Sequence, residues 1–384
     1  MQSVLPEAEA VAQNAYHLIT ILLQGTKSGR GGSPGSRCFL SRLKTGVPTT
    51  EVFMELLVDS YGRRIKSMRI SITDKCNFRC TYCMPAEGLP WLKKAEILSY
   101  EEIERIARVA ASIGIEQIRL TGGEPLVRRD IPDLVRQLRK IEGLRSLSLT
   151  TNGILLKQLA GALAEAGLTR INVSLDSLIR EKFAQLARRD QLARVLEGLE
   201  ELEKYPSIHP IKVNAVAIKD YSEAEVLDFV RLARRKAYVI RWIEFMPLDA
   251  DQIWRKEDIL TGAELKAIIE TEYGPLVPIT TGDPSETARR YTFNDGIGEV
   301  GFINPVSEPF CATCDRIRLT ADGQLRTCLF ATEETDLRAV IRSNASDEDL
   351  AKTIRQAVWH KELKHYIGDK RFKRANRSMS MIGG

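Results

Sequence analysis

Six of the seven cysteines fall into two groups of three, and their spacing indicates metal binding. The groups are Cys76-x3-Cys80-x2-Cys83 and Cys311-x2-Cys314-x13-Cys328. Three thiolates on one short loop can hold three irons of a [4Fe–4S] cluster and leave the fourth iron open to a small molecule. A structural zinc site needs four ligands, and no histidine lies near either group. On spacing alone, a zinc half-site or a chance grouping remains the alternative.

Amino-acid composition indicates the redox compartment of the protein and the kinds of partner it can bind. An odd number of cysteines in tight groups does not suit a disulfide framework, so a reducing compartment such as the cytoplasm is expected. The net charge is only +5 over 384 residues, which favours an anionic small ligand over a nucleic acid. No apolar run reaches the roughly 18–20 residues of a membrane span. We therefore expect neither nucleic acid nor membrane as a partner.

Two further motifs concern phosphate binding. Arg316-Ile317-Arg318 lies between cysteines of the second group. In a strand, this pattern places both guanidiniums on one face, where they could clamp a phosphate; two exposed strand arginines are the alternative. The sequence Gly296–Gly301 matches G-x-G-x-x-G but opens a β-branched run, so it predicts a hairpin rather than a dinucleotide site. No P-loop sequence occurs in the chain.

The elements that position these residues alternate between strand and helix patterns. The first helix opens with the capping box Ser99-x-x-Glu102. Six βα units predict a parallel sheet with outer helices, as an incomplete (β/α) barrel or a doubly wound sheet. Polar residues follow strand after strand, and in barrels the site lies at these C-terminal strand ends. The predicted strands are 68–73, 117–121, 146–150, 170–175, 212–218 and 239–245.

Pattern changes divide the chain into three segments. Residues 1–53 contain a glycine-rich linker and are interpreted as an N-terminal extension. Two other interpretations of this segment stay open: translation could start at Met54, or the segment could be an organellar transit peptide. Residues 54–248 carry the βα units, and residues 249–384 carry the second cysteine group.

Two motifs of the 54–248 segment resemble those of a known superfamily. Cys76-Asn-Phe-Arg-Cys80-Thr-Tyr-Cys83 is similar to the signature loop of radical S-adenosylmethionine enzymes, and Thr121-Gly-Gly-Glu-Pro125 resembles their glycine-rich motif. The resemblance implies that the open iron chelates S-adenosylmethionine, whose reductive cleavage releases a 5′-deoxyadenosyl radical. Glycine at 122 and 123 is expected to let the backbone approach this ligand closely.

From about Asp59 to Gly384 the chain resembles the GTP 3′,8-cyclases. The resemblance is carried by both cysteine spacings and by the terminal Met379-Ser-Met-Ile-Gly-Gly384. It implies an α/β fold: an incomplete (β/α)6 TIM-like barrel with a C-terminal α+β domain carrying a second [4Fe–4S] cluster. It also implies a lyase that cyclises GTP to (8S)-3′,8-cyclo-7,8-dihydroguanosine 5′-triphosphate, the first step of molybdenum cofactor biosynthesis. Asp315, where many relatives have Asn, adds a charge but little bulk.

The same resemblance assigns roles to individual residues. The first cluster would be held by Cys76, Cys80 and Cys83, and S-adenosylmethionine by Tyr82, Gly123, Ser174 and Met246. GTP would be contacted by Arg69, Arg119, Thr150, Lys212, Arg316 and Arg318. The second cluster, whose open iron meets the guanine, would be held by Cys311, Cys314 and Cys328. Catalysis would also involve Arg316, Arg318 and a C-terminal tail, Gly383 and Gly384, inserted near the substrate.

Partners follow from this reading. An electron donor such as flavodoxin or ferredoxin and a downstream cyclic pyranopterin monophosphate synthase are expected, with the protein a monomer or a homodimer. Two rival interpretations remain at this stage. Radical enzymes that modify peptides usually carry more C-terminal cysteines, and a non-enzymatic zinc-binding adaptor would contain zinc instead of iron and sulfide.

Overall fold

The computed structural model describes residues 56–280 and 282–383. The predicted extension 1–53 and the tail residue Gly384 lie outside the described residues.

Six parallel strands form the centre of the sheet and pair in chain order. Their inner and outer faces differ: in β2, Ile118 and Leu120 are fully buried among helix residues, whereas Arg119 between them faces the other side. This alternation follows from the two-residue period of a strand. The strands are β1 (Ser67–Ser71), β2 (Gln117–Thr121), β3 (Ser146–Thr151), β4 (Arg170–Ser174), β5 (Ile211–Ala217) and β6 (Tyr238–Glu244).

Helices connect these strands and cover the outer face of the sheet. The first begins with the predicted capping box, in which Ser99 Oγ accepts a hydrogen bond from the Glu102 amide at 3.2 Å. A helix after β4 was not predicted from the sequence. The helices are α1 (Tyr100–Ser112), α2 (Ile131–Leu138), α3 (Leu156–Glu165), α4 (Arg180–Ala187), α5 (Leu192–Leu202), α6 (Val226–Arg235), α7 (Gly262–Tyr273), α8 (Leu337–Arg342), α9 (Asp347–Trp359) and α10 (Met379–Ile382).

Strands from the C-terminal part of the chain extend both edges of this sheet. Strand β9 pairs with β6 and strand β10 pairs with β1, both in parallel. Antiparallel strands then continue the sheet on each side, so the order is β12-β11-β10-β1-β2-β3-β4-β5-β6-β9-β8-β7. The added strands are β7 (Val277–Pro278), β8 (Arg289–Thr292), β9 (Glu299–Ile303), β10 (Arg316–Leu319), β11 (Gln324–Arg326) and β12 (Thr335–Asp336).

This architecture confirms the predicted incomplete barrel with C-terminal α+β elements. The hairpin predicted at Gly296–Gly301 is also confirmed, because β8 and β9 pair antiparallel across this turn. Residues 249–384 continue the same sheet, and the division at residue 248 stays a prediction. No helix in the described ranges has both the length and the apolar character that a membrane crossing requires.

Candidate active site

A cavity of about 310 Å³ at the C-terminal ends of the strands brings both cysteine groups together. Most residues predicted for ligand binding line it, although they come from distant parts of the chain. Lys212 and Gly383 are not among the lining residues. The predicted residues that line it are Arg69, Cys76, Cys80, Tyr82, Cys83, Arg119, Gly123, Thr150, Ser174, Met246, Cys311, Cys314, Arg316, Arg318 and Cys328.

The first cysteine loop follows β1 and is held by the carboxyl end of α4. The amides of Arg79 and Thr81 donate to the carbonyls of Ala187 and Leu186 at 3.1 and 2.9 Å. Tyr82 inside the loop donates its hydroxyl to Asp176 at 2.7 Å. These bonds fix the loop over the ends of the strands.

Asp176, just after β4, was not predicted as a site residue. Its second oxygen accepts from the Val216 amide at 2.8 Å, so it joins β4, β5 and the cysteine loop. Burial raises the pKa of Asp176 to about 6, against the effect of these hydrogen bonds.

The two glycines after β2 are also required for backbone packing, in addition to the expected approach to a ligand, which stays a prediction. A Cβ at Gly122 or Gly123 would lie 2.6 Å from the carbonyl oxygen of Thr73 or Asp74, respectively. The Gly123 amide also donates to the Thr73 carbonyl at 2.7 Å. The glycines are therefore required where the cysteine loop leaves β1 and packs on the β2 loop, whatever ligand Gly123 contacts.

Glu124 connects the ends of β2 and β3, and sequence reasoning missed it. Its carboxylate accepts from Thr151 Oγ1 at 2.7 Å, from the Asn152 amide at 2.6 Å and from the Leu126 amide at 3.0 Å. Burial raises the pKa of Glu124 to about 7, while these donors oppose the rise. An acidic residue between glycines and proline, next to apolar runs, was the available signal.

Asn152 carries this network to the cysteine loop. Its Oδ1 accepts from the Ile154 amide at 3.2 Å, which leaves Nδ2 to donate to Asn77 Oδ1 at 2.7 Å. Cys76 Sγ lies 4.0 Å from the same Nδ2. Glu124 and Asn152 thus position the loop of the first cysteine group.

The second cysteine group is fixed by buried cations. Arg63, paired with Asp59 at 2.6 Å, donates to the Cys311 carbonyl at 2.8 Å. Lys361 donates to the Arg316 carbonyl at 3.0 Å and also to the Thr327 carbonyl. Burial acts to raise the pKa of the Cys314 thiol, but Arg316 and Lys361 outweigh it and lower this pKa to about 7.

Arginines from three neighbouring strands form one inward-facing row. Arg318 on β10 lies opposite Arg69 on β1, which lies opposite Arg119 on β2. Burial and then repulsion from Arg119 and Arg316 lower the pKa of Arg69. Burial, Arg69 and Arg316 lower that of Arg318. The row has an excess of positive charge that favours binding of a polyanion.

Arg241 on β6 adds a cation that sequence reasoning missed. It lines the cavity, is 6% exposed, and donates to Asn214 Oδ1 at 2.9 Å and Asn172 Oδ1 at 2.8 Å. Burial lowers its pKa to about 10. The signal was a single charge within the otherwise apolar run Tyr238–Ile243.

Lys212 lies on β5 and is half-buried. On β5 it pairs in register with Asn172 of β4, two residues before Asn214, which lines the cavity. Burial, followed by repulsion from Arg241 and Arg119, lowers the pKa of Lys212 to about 7.

The C-terminal tail enters the protein next to these cations. Ile382 is 1% exposed and packs with Leu248 and Phe330. The Gly383 carbonyl accepts a hydrogen bond from Arg318 Nη1. Gly383 has φ of 85°, and a Cβ there would collide with the Thr121 hydroxyl, so only glycine fits. The tail therefore reaches the ends of β1 and β2.

The donor sets fit two iron–sulfur clusters and an organic ligand. Each group supplies three thiols to one cavity, and burial raises the pKa of Cys76 to about 11 and that of Cys83 to about 12. Iron binding would offset this cost, because it requires and stabilises thiolates. In the described ranges, no three His, Cys, Asp or Glu side chains converge on a single ion. A cubane needs no such convergence, since each cysteine ligates a different iron. Thr121 Oγ1 is buried without a hydrogen-bond partner among the described residues, which leaves a polar group for a ligand.

Comparisons with known proteins agree with this arrangement. Residues 70–233 match the Radical SAM superfamily and residues 238–367 match Molybdenum Cofactor Synthesis C. The structure resembles SuiB of Streptococcus suis bound to S-adenosylmethionine, with a TM-score of 0.55 and 16% identity over 85% of this chain and 77% of that one, which supports the fold alone. Fold and cysteine loop together define a radical S-adenosylmethionine enzyme.

Relatives identify the family within this class. A GTP 3′,8-cyclase of Rhodopirellula baltica is 44% identical over 347 residues, covering 90% of this chain and 96% of the relative. A GTP 3′,8-cyclase of Streptomyces coelicolor is 45% identical, covering 86% of this chain and 96% of the relative. The chain belongs to the GTP 3′,8-cyclase family, which acts in molybdenum cofactor biosynthesis.

Proposed function

We propose that this chain converts GTP to (8S)-3′,8-cyclo-7,8-dihydroguanosine 5′-triphosphate in the cavity between its two cysteine groups. The observation that carries the proposal is the joining of both triads and the inward arginines in one cavity. A radical formed beside the first cysteine group would then arise in the same cavity that holds the nucleotide.

The barrel side of the cavity binds the radical source. Cys76, Cys80 and Cys83 would hold the first cluster, and Tyr82, Gly123, Ser174 and Met246 would surround S-adenosylmethionine. When bound, this pair supplies the carbon-centred radical that removes a hydrogen from the substrate. The protein orients both partners: Glu124 and Asn152 fix the cysteine loop, and Asp176 fixes Tyr82.

The opposite side binds GTP. Arg69, Arg119, Arg316 and Arg318 surround the triphosphate, with Arg241 as a further cation. Thr150, at the end of β3, accepts a hydrogen bond from Asn172 at 3.2 Å and contacts the nucleotide. Cys311, Cys314 and Cys328 would hold the second cluster, which would supply an iron for binding the guanine. Arg318 links this end to the tail through its bond to Gly383, and Gly384 is assigned a catalytic role together with it.

This assignment divides the chain at about residue 248, with one cluster on each side.

A flavodoxin or ferredoxin supplies the electron, and a cyclic pyranopterin monophosphate synthase consumes the product. Thiols that must remain reduced suit a reducing compartment such as the cytoplasm, and the protein acts as a monomer or homodimer.

Removing the second cysteine group tests the division of labour. Replacing Cys311, Cys314 and Cys328 with Ala is expected to lower the iron content from about eight to about four per chain. Reductive cleavage of S-adenosylmethionine should persist, whereas GTP should not be cyclised. Iron analysis and chromatography of 5′-deoxyadenosine and GTP products give these readouts. Loss of all iron from the triple variant would contradict two independent sites.

Lys212 is expected to take up a proton when GTP binds. Its pKa of about 7 leaves it partly neutral in the free protein, and a nearby triphosphate favours the ammonium form. Binding above pH 7 then requires proton uptake, so affinity should fall by up to about tenfold per pH unit as pH rises. Calorimetry at pH 8 in two buffers of different ionisation enthalpy measures this uptake. Unchanged proton uptake in Lys212→Met would show that this lysine does not respond to GTP.

A further inference from the structure

Positive side chains surround the outer side of the first cysteine loop. Lys75 and Arg79 belong to the loop itself, and Arg79 donates to the Cys76 and Phe78 carbonyls at 2.8 Å each. Lys75 is exposed and Arg79 is half-buried. A guanidinium is therefore fixed directly against the backbone of a proposed cluster ligand.

A second segment, residues 91–94, adds two more cations to the same surface. The Leu92 amide donates to Asp74 Oδ2 at 2.6 Å. Asp74 lies three residues after the end of β1, so this bond holds the segment beside the cysteine loop. The Arg79 guanidinium lies over the Trp91 ring, 5.3 Å from its centre, and the indole is 36% exposed. Lys93 and Lys94 follow and are exposed.

The end of α4 contributes the third part. Arg188 donates to the Met84 carbonyl of the loop at 3.0 Å, and the neighbouring Arg189 is exposed. Arg188 has a long ion pair of 3.8 Å with Asp251. We call this set of Lys75, Arg79, Lys93, Lys94, Arg188 and Arg189 the basic face.

The basic face keeps most of its charge unpaired. Residues 75–96 and 188–189 contain six Lys or Arg and two carboxylates, Glu87 and Glu96. Among the described residues, five of these six side chains form no ion pair with a carboxylate: Lys75, Arg79, Lys93, Lys94 and Arg189. Other arginines do form such pairs, as Arg188 does with Asp251 and Arg180 with Asp190. Unpaired charges around an exposed aromatic ring suit a protein partner of opposite charge more than a small anion, because no enclosed site gathers them.

We propose that the basic face docks an acidic one-electron carrier protein at the first cluster, an inference that rests on the proposed function. One electron passes from the reduced carrier to the cluster, so the carrier is oxidised by one electron and the cluster is reduced by one. Cations next to the cysteine loop steer the carrier to the place where its electron is used, and salt should weaken this attraction.

Charge reversal tests the docking face with two reductants. Lys93→Glu/Lys94→Glu is compared with Arg139→Glu/Lys140→Glu, which reverses two exposed cations just beyond α2, near the opposite ends of the strands. With reduced flavodoxin at low salt, 5′-deoxyadenosine formation should fall about tenfold or more in the first variant and stay near wild type in the control. With dithionite, which needs no docking face, both variants should match wild type. Equal rates with flavodoxin in the first variant and wild type would overturn the proposal, as would equal losses with both reductants.

A binding titration keeps this test separate from the proposed function. Oxidised flavodoxin should bind the cluster-loaded wild type and the control with similar Kd, and bind the Lys93→Glu/Lys94→Glu variant about tenfold more weakly. Unchanged Kd in that variant would overturn the docking face. Failure of wild type to form 5′-deoxyadenosine with dithionite would instead contradict the proposed function.

Discussion

Deletion of Gly383 and Gly384 is expected to abolish the cyclised product while both clusters still assemble. Gly383 lies at the ends of β1 and β2, and its carbonyl accepts a hydrogen bond from Arg318, a proposed GTP ligand. Without these two residues, Arg318 loses the carbonyl oxygen that fixes its guanidinium beside the cavity. Anaerobic turnover with product chromatography measures the loss, and iron analysis verifies the clusters.

Two glycine-to-alanine substitutions distinguish the effect of backbone strain from the effect of a collision inside the site. Gly383→Ala adds a methyl group that collides with Thr121, so product formation should fall strongly. Gly296→Ala is the matched control, because Gly296 also has positive φ, of 72°, but has no atom within 4 Å of an added Cβ. It should cost only about 1 kcal/mol of stability and leave activity intact. Near-normal product formation after deletion of the tail would mean that it is an ordinary loose end.

Arg318→Ala is expected to weaken GTP binding by about 30-fold or more and to leave S-adenosylmethionine binding within about twofold. Truncating one partner of a buried charged contact commonly costs about 2–5 kcal/mol, and about 1.4 kcal/mol corresponds to tenfold in affinity. Arg316→Ala should act in the same direction, since Arg316 lies over the Phe310 ring on the same cavity wall. Anaerobic equilibrium titration with each ligand measures both affinities.

An exposed arginine provides the control for this pair. Among the residues that the structure describes, Arg136 on α2 pairs with Asp133 alone, three residues away, and its side chain is 51% exposed. Arg136→Ala should change neither affinity. Equal losses of GTP and S-adenosylmethionine affinity in Arg318→Ala would indicate a structural role for Arg318 rather than a ligand contact.

Features set by local sequence could be predicted, and those set by distant pairing could not. Strand β2 was predicted with its observed bounds because an apolar alternation ends at Thr121-Gly122. Helix α4 was missed because its eight residues bury only Phe183, Leu186 and Ala187, which gives a weak helical period. The pairing of β10 with β1 joins segments far apart in sequence, and no local pattern encodes it.

The site shows the same division. Cysteine spacing and the Arg-x-Arg pattern indicated ligands from chemistry alone, and the cavity brings these side chains together. The reason for Gly122 and Gly123 depends on where Thr73 and Asp74 lie, which only the folded backbone reveals. Glu124 and Asn152 act through neighbours on other strands, so their positioning role could not be read from the sequence.

Turnover with GTP deuterated at C3′ shows whether this chain removes hydrogen from the ribose of GTP. The protein with both clusters is incubated anaerobically with this substrate, S-adenosylmethionine and reductant. The products are separated, and their masses are measured by mass spectrometry. The expected products are a cyclised triphosphate that has lost the C3′ deuterium and 5′-deoxyadenosine that has gained it. Formation of 5′-deoxyadenosine without deuterium, with GTP recovered intact, would contradict hydrogen abstraction from the ribose of GTP in this cavity.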